Sequence, residues 1–350
     1  MKAVVYHGKG DLRVEDVPVP EPGPGEMLVR VDACGICPTD LKKVETGLLP
    51  GPRIFGHEIA GTVAALGSGT RGFREGERVV VHHHVPCGAC FFCERELYAQ
   101  CPVYKKNGTT AGFEPSGGGY AEYVLALDWI VARGTIPIPD GIRAEEAAFV
   151  EPVNTCLKAV RKARVAKGES VLVVGQGPIG LLLMQIARAA GADVVVSDGF
   201  TGRLSLARAL GAPVALDAAG DVVSEVRALT EGRGADCALL AAPGRAAFEQ
   251  AVAATRPGGR VLSFAATSPG ETVEVDLGRL TSLEKDLLTA YSSSIDLQQE
   301  AAELVWSRTV RVAELVSHRL PVARGAEAFA LAMGRAPGTL KVVLGARAPA

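Results

Sequence analysis

Two kinds of hydrophobic pattern divide the chain. Up to about residue 150, apolar residues come in short β-type runs at 27–31, 59–63, 78–81 and 120–124. Glycine- and proline-rich punctuation such as Pro20-Glu21-Pro22-Gly23-Pro24-Gly25 separates them. Short β-branched runs bounded by turn formers read as strands. No strand alternates with a helix here, so an irregular antiparallel barrel is expected. Near residue 155 the pattern changes. Residues 171–174 form an unbroken apolar run, as a strand buried on both faces should. A glycine-rich turn, an apolar helix over 179–190, a strand at 194–196 and a helix at 203–210 follow. Then come a helix at 221–230, a strand at 237–241, a helix at 246–255 and a strand at 260–264. Strands alternating with helices predict an α/β fold with a doubly wound parallel sheet. After about residue 292, helical patterns at 297–306 and 326–333 precede a last strand at 340–344. Pattern alone does not say which domain this tail joins.

Length and composition add bounds. A chain of 350 residues is expected to form two domains, and 48% hydrophobic with 22% charged residues is the balance of a globular protein rather than a disordered one. The net charge of −2 offers no basic footprint, so no nucleic-acid partner is expected. The first residues lack the long apolar stretch of an export signal. The most apolar region, 171–196, is broken by Gln176, Pro178, Gln185, Arg188 and Asp193, so no membrane span is expected either. The expected compartment is the cytoplasm, where clustered cysteines read first as metal ligands.

Three constellations carry chemistry. Gly175-Gln176-Gly177-Pro178-Ile179-Gly180 is a GxGxxG motif between a predicted strand and a predicted helix, and Asp198 ends the next strand 18 residues on. Gly175 permits the tight turn, Gly177 lets a pyrophosphate approach the backbone, and Gly180 lets helix and strand pack closely. The phosphates then sit at the start of the helix that Pro178 and Ile179 open. A carboxylate at Asp198 can accept both ribose hydroxyls and repels a 2′-phosphate, which favours NAD over NADP. Arg203 could approach such a phosphate or could point outward as a helix charge. The second constellation is Cys87, Cys90, Cys93 and Cys101, spaced CxxCxxCx7C. Four thiolates satisfy a tetrahedral zinc without water, the mark of a closed structural site. The third is Cys37 with His57 and Glu58, a thiolate, imidazole and carboxylate set suited to a zinc with an open position. Spacing alone leaves this set open, since a histidine so placed can also be structural. The run His82-His83-His84 is not expected to hold one ion, because neighbours on a strand face opposite ways.

With these pieces in order, the chain resembles the zinc-dependent medium-chain alcohol dehydrogenases, and within them the polyol (sorbitol) and threonine dehydrogenase branch. The matching segments are Gly35-Ile36-Cys37-Pro38-Thr39-Asp40, Gly56-His57-Glu58, the four-cysteine lobe, and Gly118-Gly119-Tyr120-Ala121-Glu122-Tyr123. They continue with Val150-Glu151-Pro152, the GxGxxG turn and Gly338-Thr339-Leu340-Lys341-Val342-Val343. The resemblance implies a GroES-like catalytic domain of residues 1–154 and 293–350 and a Rossmann domain of residues 155–292. It implies two zinc ions per chain, one structural and one catalytic, and NAD(H) as cofactor. Cys37, His57 and Glu151 match the catalytic zinc ligands, with Glu58 a neighbour that could exchange with Glu151. If the segment is extended, Glu58 should diverge from His57 and lie behind the metal. Asp40 matches a residue that orients the site, Thr39 the hydroxyl that contacts the substrate oxygen, and Thr155 a position beside the nicotinamide. Two departures stand out. Lys42 occupies the place of a proton-relay histidine, and Pro38 replaces a small or basic residue. Cys34 is expected to be structural, Cys156 a weaker candidate ligand, and Phe55, Phe113 and Tyr291 candidate pocket residues. The activity implied is reversible hydride transfer between NAD and a secondary alcohol, in a polyol, sugar alcohol or amino alcohol, by a homodimer or homotetramer. The rival readings are a zinc-independent quinone or enone reductase of the same fold and a non-catalytic zinc-containing binding protein.

Overall fold

The computed structural model describes residues 1–82, 85–107, 117–265, 270, 272–334, 336 and 338–345. The chain divides into two compact units. One comprises Met1–Asn154, Ser293–Arg308 and Val312–Ala350, the other Thr155–Ser292 with Thr309–Arg311. The boundary falls inside the helix Val150–Lys162.

The first unit is built on two sheets. In the larger, the strands run in the order Val316–Pro321, Lys341–Gly345, Met27–Gly35, Glu58–Leu66, Arg78–Val81 and Thr135–Pro137, and Tyr123–Ala126 also pairs with Met27–Gly35. All these pairings are antiparallel except that of Val316–Pro321 with Lys341–Gly345, which is parallel. The smaller sheet orders Asp11–Asp16, Lys2–Gly8 and Arg53–Ile54. Alternation buries Met27, Val29 and Val31 together with Ile59, Val63, Val79 and Val81 in one core. Residues 293–308 and 312–345 belong to this unit, and their last strand lies beside Met27–Gly35 in register Val343 to Gly35. That register brings residues from both ends of the chain to one place.

The second unit is a parallel sheet in the order Val214–Asp217, Asp193–Asp198, Ser170–Val174, Ala235–Leu240, Thr255–Ser263 and Asp286–Thr289. Numbered by their succession within this unit, that is 3-2-1-4-5-6, the dinucleotide-binding order, with its crevice where strand order reverses beside Ser170–Val174. The strand is buried from Val171 to Val174, and the following helix, Pro178–Ala189, buries every residue from Gly180 to Ala187. A helix apolar nearly all round fits only where protein covers most of its surface. Among the described residues, no helix is long and apolar enough to cross a membrane.

Candidate functional site

The glycine-rich turn is shaped by contacts that only glycine allows. Gly175 sits at φ +90°, and a Cβ there would lie 2.7 Å from the Ala242 side chain. A Cβ on Gly180 would lie 1.7 Å from the Gly175 carbonyl oxygen, a backbone atom that cannot step aside. Gly177 is different: its conformation is ordinary and nothing lies within 4 Å of where its Cβ would be. The space over Gly177, at the N-terminus of Pro178–Ala189, is therefore open to a phosphate. Asp198 is buried at the end of its strand. It accepts from the Gln176 N–H at 2.6 Å and from the Phe200 N–H at 2.8 Å. Arg203 turns toward this carboxylate rather than outward: its Nη1 is 3.8 Å from Asp198 Oδ2 and its guanidinium lies over the Phe200 ring. The donor set thus fits a dinucleotide. These glycines also give a contrast to measure. Gly180→Val is expected to lower the melting temperature and to weaken NADH binding by at least ~100-fold, since backbone strain of several kcal/mol falls on the turn. Gly177→Ala should unfold like the parent and still bind NADH more weakly. NADH fluorescence titration beside thermal unfolding checks both, and equal melting losses in the two variants would contradict this assignment.

The four-cysteine lobe brings its sulfurs together. The ligand atoms of Cys87, Cys90, Cys93 and Cys101 all lie within 4.8 Å of one another, with Cys87 to Cys93 at 3.8 Å and Cys90 to Cys93 at 3.5 Å. A zinc bound at 2.3 Å to each of four sulfurs sets them about 3.8 Å apart, whereas a disulfide needs about 2.05 Å. All four thiols are free. Against the burial that would raise it, the Cys101 thiol is lowered to about 6 by N–H groups of Cys87, Tyr104 and Val103 aimed at its sulfur. Hydrogen bonds to the thiolate favour the form a metal binds. Among the described residues, the packed cluster around these cysteines adds Tyr98 and Tyr104.

The third constellation lies in the first unit. Cys37 is the N-cap of the helix Pro38–Thr46, and Pro38 takes the first helical position, where its missing N–H costs nothing. Ligand atoms of Cys37, His57 and Glu58 lie within 4.8 Å of one another. The expected divergence of His57 and Glu58 does not occur, because the segment is not uniformly extended. Gly56 sits at φ +104°, with no room for a Cβ against Tyr120, and the strand begins only at Glu58. Asp40 is buried behind His57: its Oδ2 is 3.1 Å from His57 Nδ1, and its Oδ1 accepts from Lys43 Nζ at 2.9 Å. Burial would raise the Asp40 carboxyl, but Lys43 and His57 hold it well below the usual carboxylate range. With Nδ1 facing Asp40, Nε2 is the nitrogen left for a metal, the arrangement in which a carboxylate orients a ligating histidine. Burial would lower the His57 imidazole, yet the charges of Asp40 and Cys37 raise it well above its ordinary value.

Other residues complete the surroundings. Tyr120, buried, accepts from the Cys37 N–H at 3.2 Å, and its hydroxyl lies 3.0 Å from Asp40 Oδ2 and 3.2 Å from the Gly35 carbonyl. Glu151 is buried in the first turn of Val150–Lys162. It stands outside the tight three-residue set but feels His57, Glu58, Lys341 and Asp40, and burial pushes its carboxyl up to about 7. Three residues on, Asn154 ties this helix down by donating to the Ser294 carbonyl at 2.9 Å and accepting from its N–H at 2.8 Å. Glu58 is held by Lys341, whose Nζ lies 2.7 and 2.8 Å from the two carboxylate oxygens. Thr39 is exposed beside Cys37, and Thr155 is half-buried at the start of the second unit. The donor chemistry of Cys37, His57 and a carboxylate fits a zinc with an open position.

The remaining candidates lie outside the converging set of Cys37, His57 and Glu58, although Cys34 is near enough to feel the charges of Glu58 and Asp40. Cys34 is buried with its thiol pushed well up by burial, Cys237 is pushed up to about 11 for the same reason, and Cys156 is buried with Sγ 3.9 Å from the Ile179 carbonyl. His82 is buried beside Ser293, and His83 and His84 lie outside the described residues. Phe55 packs into the core against Tyr6, Tyr291 is exposed, and Phe113 lies outside the described residues. Lys341, Tyr120 and Lys43 were not singled out as site residues by sequence reasoning. For Lys341 a signal existed: a lysine opening the apolar run 341–344 must find a charge partner if that strand is internal.

Comparison with known proteins identifies the family. Residues 23–140 match the family model of the alcohol dehydrogenase GroES-like domain, and residues 178–307 that of the zinc-binding dehydrogenase. Human sorbitol dehydrogenase is 31% identical over 336 residues, covering 93% of this chain and 91% of that protein. L-threonine 3-dehydrogenase of Pyrococcus furiosus is 37% identical over 273 residues, covering 76% and 75%. The crystal structure of a zinc-binding dehydrogenase from Sinorhizobium meliloti bound to NADP superposes with a TM-score of 0.88 at 30% identity, covering 98% of both chains. On these matches, this chain belongs to the zinc-dependent medium-chain alcohol dehydrogenases, in the branch of the sorbitol and threonine dehydrogenases.

Proposed function

We propose that this alcohol dehydrogenase is zinc-dependent and NAD-linked. Its substrate would be a secondary alcohol in a polyol, sugar alcohol or amino alcohol, oxidised reversibly to the ketone. The observation that carries the reading is the convergence of Cys37, His57 and Glu58, with Asp40 orienting the imidazole from behind. Cys37, His57 and Glu151 are the proposed zinc ligands. When bound, zinc supplies a Lewis acid for the alcohol oxygen and NAD the hydride acceptor. The chain's own residues do the rest. Asp40, kept ionised, fixes the His57 ring, and Tyr120 joins Asp40 to the Cys37 backbone. The exposed Thr39 hydroxyl accepts the proton leaving the alcohol as it passes its own outward, to a ribose hydroxyl or to solvent. Lys42, where relatives place a histidine, leaves Thr39 as the proposed exit. Cys87, Cys90, Cys93 and Cys101 hold a second, structural zinc. Four thiolates at that site suit a reducing cytoplasm, and the family resemblance supports a homodimer or homotetramer.

For the cofactor, the buried carboxylate of Asp198 at the strand end supports NAD, and the nearby Arg203 guanidinium is the feature opposed to it. Hydrogen bonds to a charged acceptor are worth about 1.5–3 kcal/mol each. Asp198→Ala should therefore weaken NAD by roughly 10- to 100-fold and leave NADP equal or improved, and retained NADP binding shows that the turn has survived. If the parent prefers NADP, or the variant keeps the parent ratio, the NAD assignment is wrong. The decisive experiment is a screen of polyols and amino alcohols at the NADH absorbance, with metal content measured on the same sample. Zinc-dependent turnover of an alcohol separates this reading from its rival, and zinc-free protein that reduces a quinone or enone while turning over no alcohol would favour the quinone or enone reductase.

A further inference from the structure

Lys43 is a charged residue of the helix Pro38–Thr46 that turns inward. It stands three residues after Asp40, a spacing at which ion pairs on a solvated helix face contribute little. This pair is not solvated. The Asp40 side chain is wholly buried, that of Lys43 is 19% exposed, and Nζ lies 2.9 Å from Oδ1. The same ammonium lies 5.1 Å from the centre of the Phe55 ring, which is buried two residues before His57. One lysine therefore meets both the helix that Cys37 caps and the segment that carries His57.

Asp40 divides its oxygens between these neighbours. Oδ1 accepts from Lys43, while Oδ2 lies 3.0 Å from the Tyr120 hydroxyl and 3.1 Å from His57 Nδ1. Burial would raise the Asp40 carboxyl, and the charges that hold it low are those of Lys43 and His57. The two are not equivalent once a metal is bound. An imidazole that ligates through Nε2 is neutral, so a metal at His57 removes one of the two positive charges beside this carboxylate. A buried carboxylate left without a cation is costly. Tyr120 offers a neutral hydroxyl and cannot replace a charge. Lys43 is the charge that stays.

We propose that Lys43 is a positioning residue of the metal centre: it supplies the counter-charge that keeps Asp40 an ionised acceptor behind His57 while the imidazole ligates, and so sets how firmly the metal is held. This rests on the metal centre proposed at Cys37 and His57, and it holds whichever carboxylate completes the ligand set. The role depends on the charge of Asp40, which gives it a signature. Loss of Lys43 strands a buried carboxylate when aspartate stands at position 40 and strands nothing when asparagine does. A lysine that merely clamped the helix through Phe55 would matter equally in both backgrounds.

The test uses the full-length protein with Co(II) in place of catalytic zinc, so that the visible bands report coordination and a chelator reports release. Lys43→Met should speed release by about 10-fold or more and shift the cobalt bands, the scale expected of a partner that acts through a ligand's neighbour. Lys43→Gln, a donor without the charge, should do the same, and it decides the matter should Lys43→Met fail to fold. Lys43→Arg should keep release within about threefold of the parent. Asp40→Asn should itself speed release, and adding Lys43→Met to it should change the rate by less than about threefold. The proposal is overturned if Lys43→Met and Lys43→Gln hold cobalt as the parent does, if the Lys43→Met effect persists in the Asp40→Asn background, or if Lys43→Arg is as impaired as Lys43→Met. A parent protein that binds cobalt only in the four-cysteine lobe overturns the metal-centre reading itself and this proposal with it. A normally loaded centre indifferent to Lys43 overturns this proposal alone.

Discussion

Cys37→Ser is expected to reduce kcat/KM for the alcohol by roughly 10³-fold or more, because a Lewis acid contributes several kcal/mol to such a barrier and each 1.4 kcal/mol is tenfold. The fold should survive. The Cys37 side chain makes no capping hydrogen bond to the helix Pro38–Thr46, whereas serine is among the preferred N-cap residues. Its backbone role, accepting from the N–H groups of Asp40 and Leu41, is untouched by the change. Loss of activity with a parent-like melting temperature and one zinc ion fewer per chain would separate chemistry from folding. Turnover within tenfold of the parent at unchanged metal content would remove Cys37 from the centre.

Cys93→Ser should do the opposite, acting through the fold. The lobe from Cys87 to Cys101 contains two short 3-10 turns and no strand among its described residues. Among the described residues its packed cluster is the four cysteines with Tyr98 and Tyr104, a small apolar area to hold it shut. Phe91 and Leu97 are exposed rather than inside. Under such conditions metal binding is folding free energy. Removing one thiolate should cost about 3 kcal/mol or more and make the lobe sensitive to protease, with turnover per folded molecule changed far less than in Cys37→Ser. Limited proteolysis with and without added zinc is the measurement. A lobe in Cys93→Ser as resistant as the parent's would show that sulfur packing, not a metal, maintains it.

Much of the second unit is readable in the sequence, for a physical reason. Its inner strands Ser170–Val174, Asp193–Asp198 and Ala235–Leu240 are almost wholly buried, so apolar runs mark them directly, whereas the edge strands Val214–Asp217 and Asp286–Thr289 are largely unburied and are not among the expected strands. The expected 171–174 is the observed Ser170–Val174, and 179–190 is Pro178–Ala189. The first unit is less legible. Asp11–Asp16 reads Asp-Leu-Arg-Val-Glu-Asp, polar enough to hide an edge strand, and it is ordered by pairing with Lys2–Gly8. The helix Pro38–Thr46 follows a strand after two residues and is marked in the sequence by Pro38 at its start and Gly47 just past its end. At the site, Cys37, His57 and Asp40 are local enough to be seen. The relation between Glu58 and Glu151 is not, because it turns on a backbone kink at Gly56 and on Lys341, a partner that only the sheet register brings near. Arg203 illustrates the same limit: a helix charge reads as outward until the Asp198 carboxylate and the Phe200 ring give it somewhere to turn.

The position of the strand Lys341–Gly345 beside Met27–Gly35 also fixes an order of events during synthesis. Residues 155–292 form their parallel sheet from a continuous stretch, completed but for Thr309–Arg311 before the tail is made. The first unit, begun earlier, cannot close. Its strand Met27–Gly35 lacks the neighbour Lys341–Gly345, and Glu58 lacks its counter-charge, until residues 341–345 have been made. Domains generally fold as units during translation, the earlier ones first. Here nearly all of the second unit's sequence has been made before the strand Lys341–Gly345 that the first unit still needs.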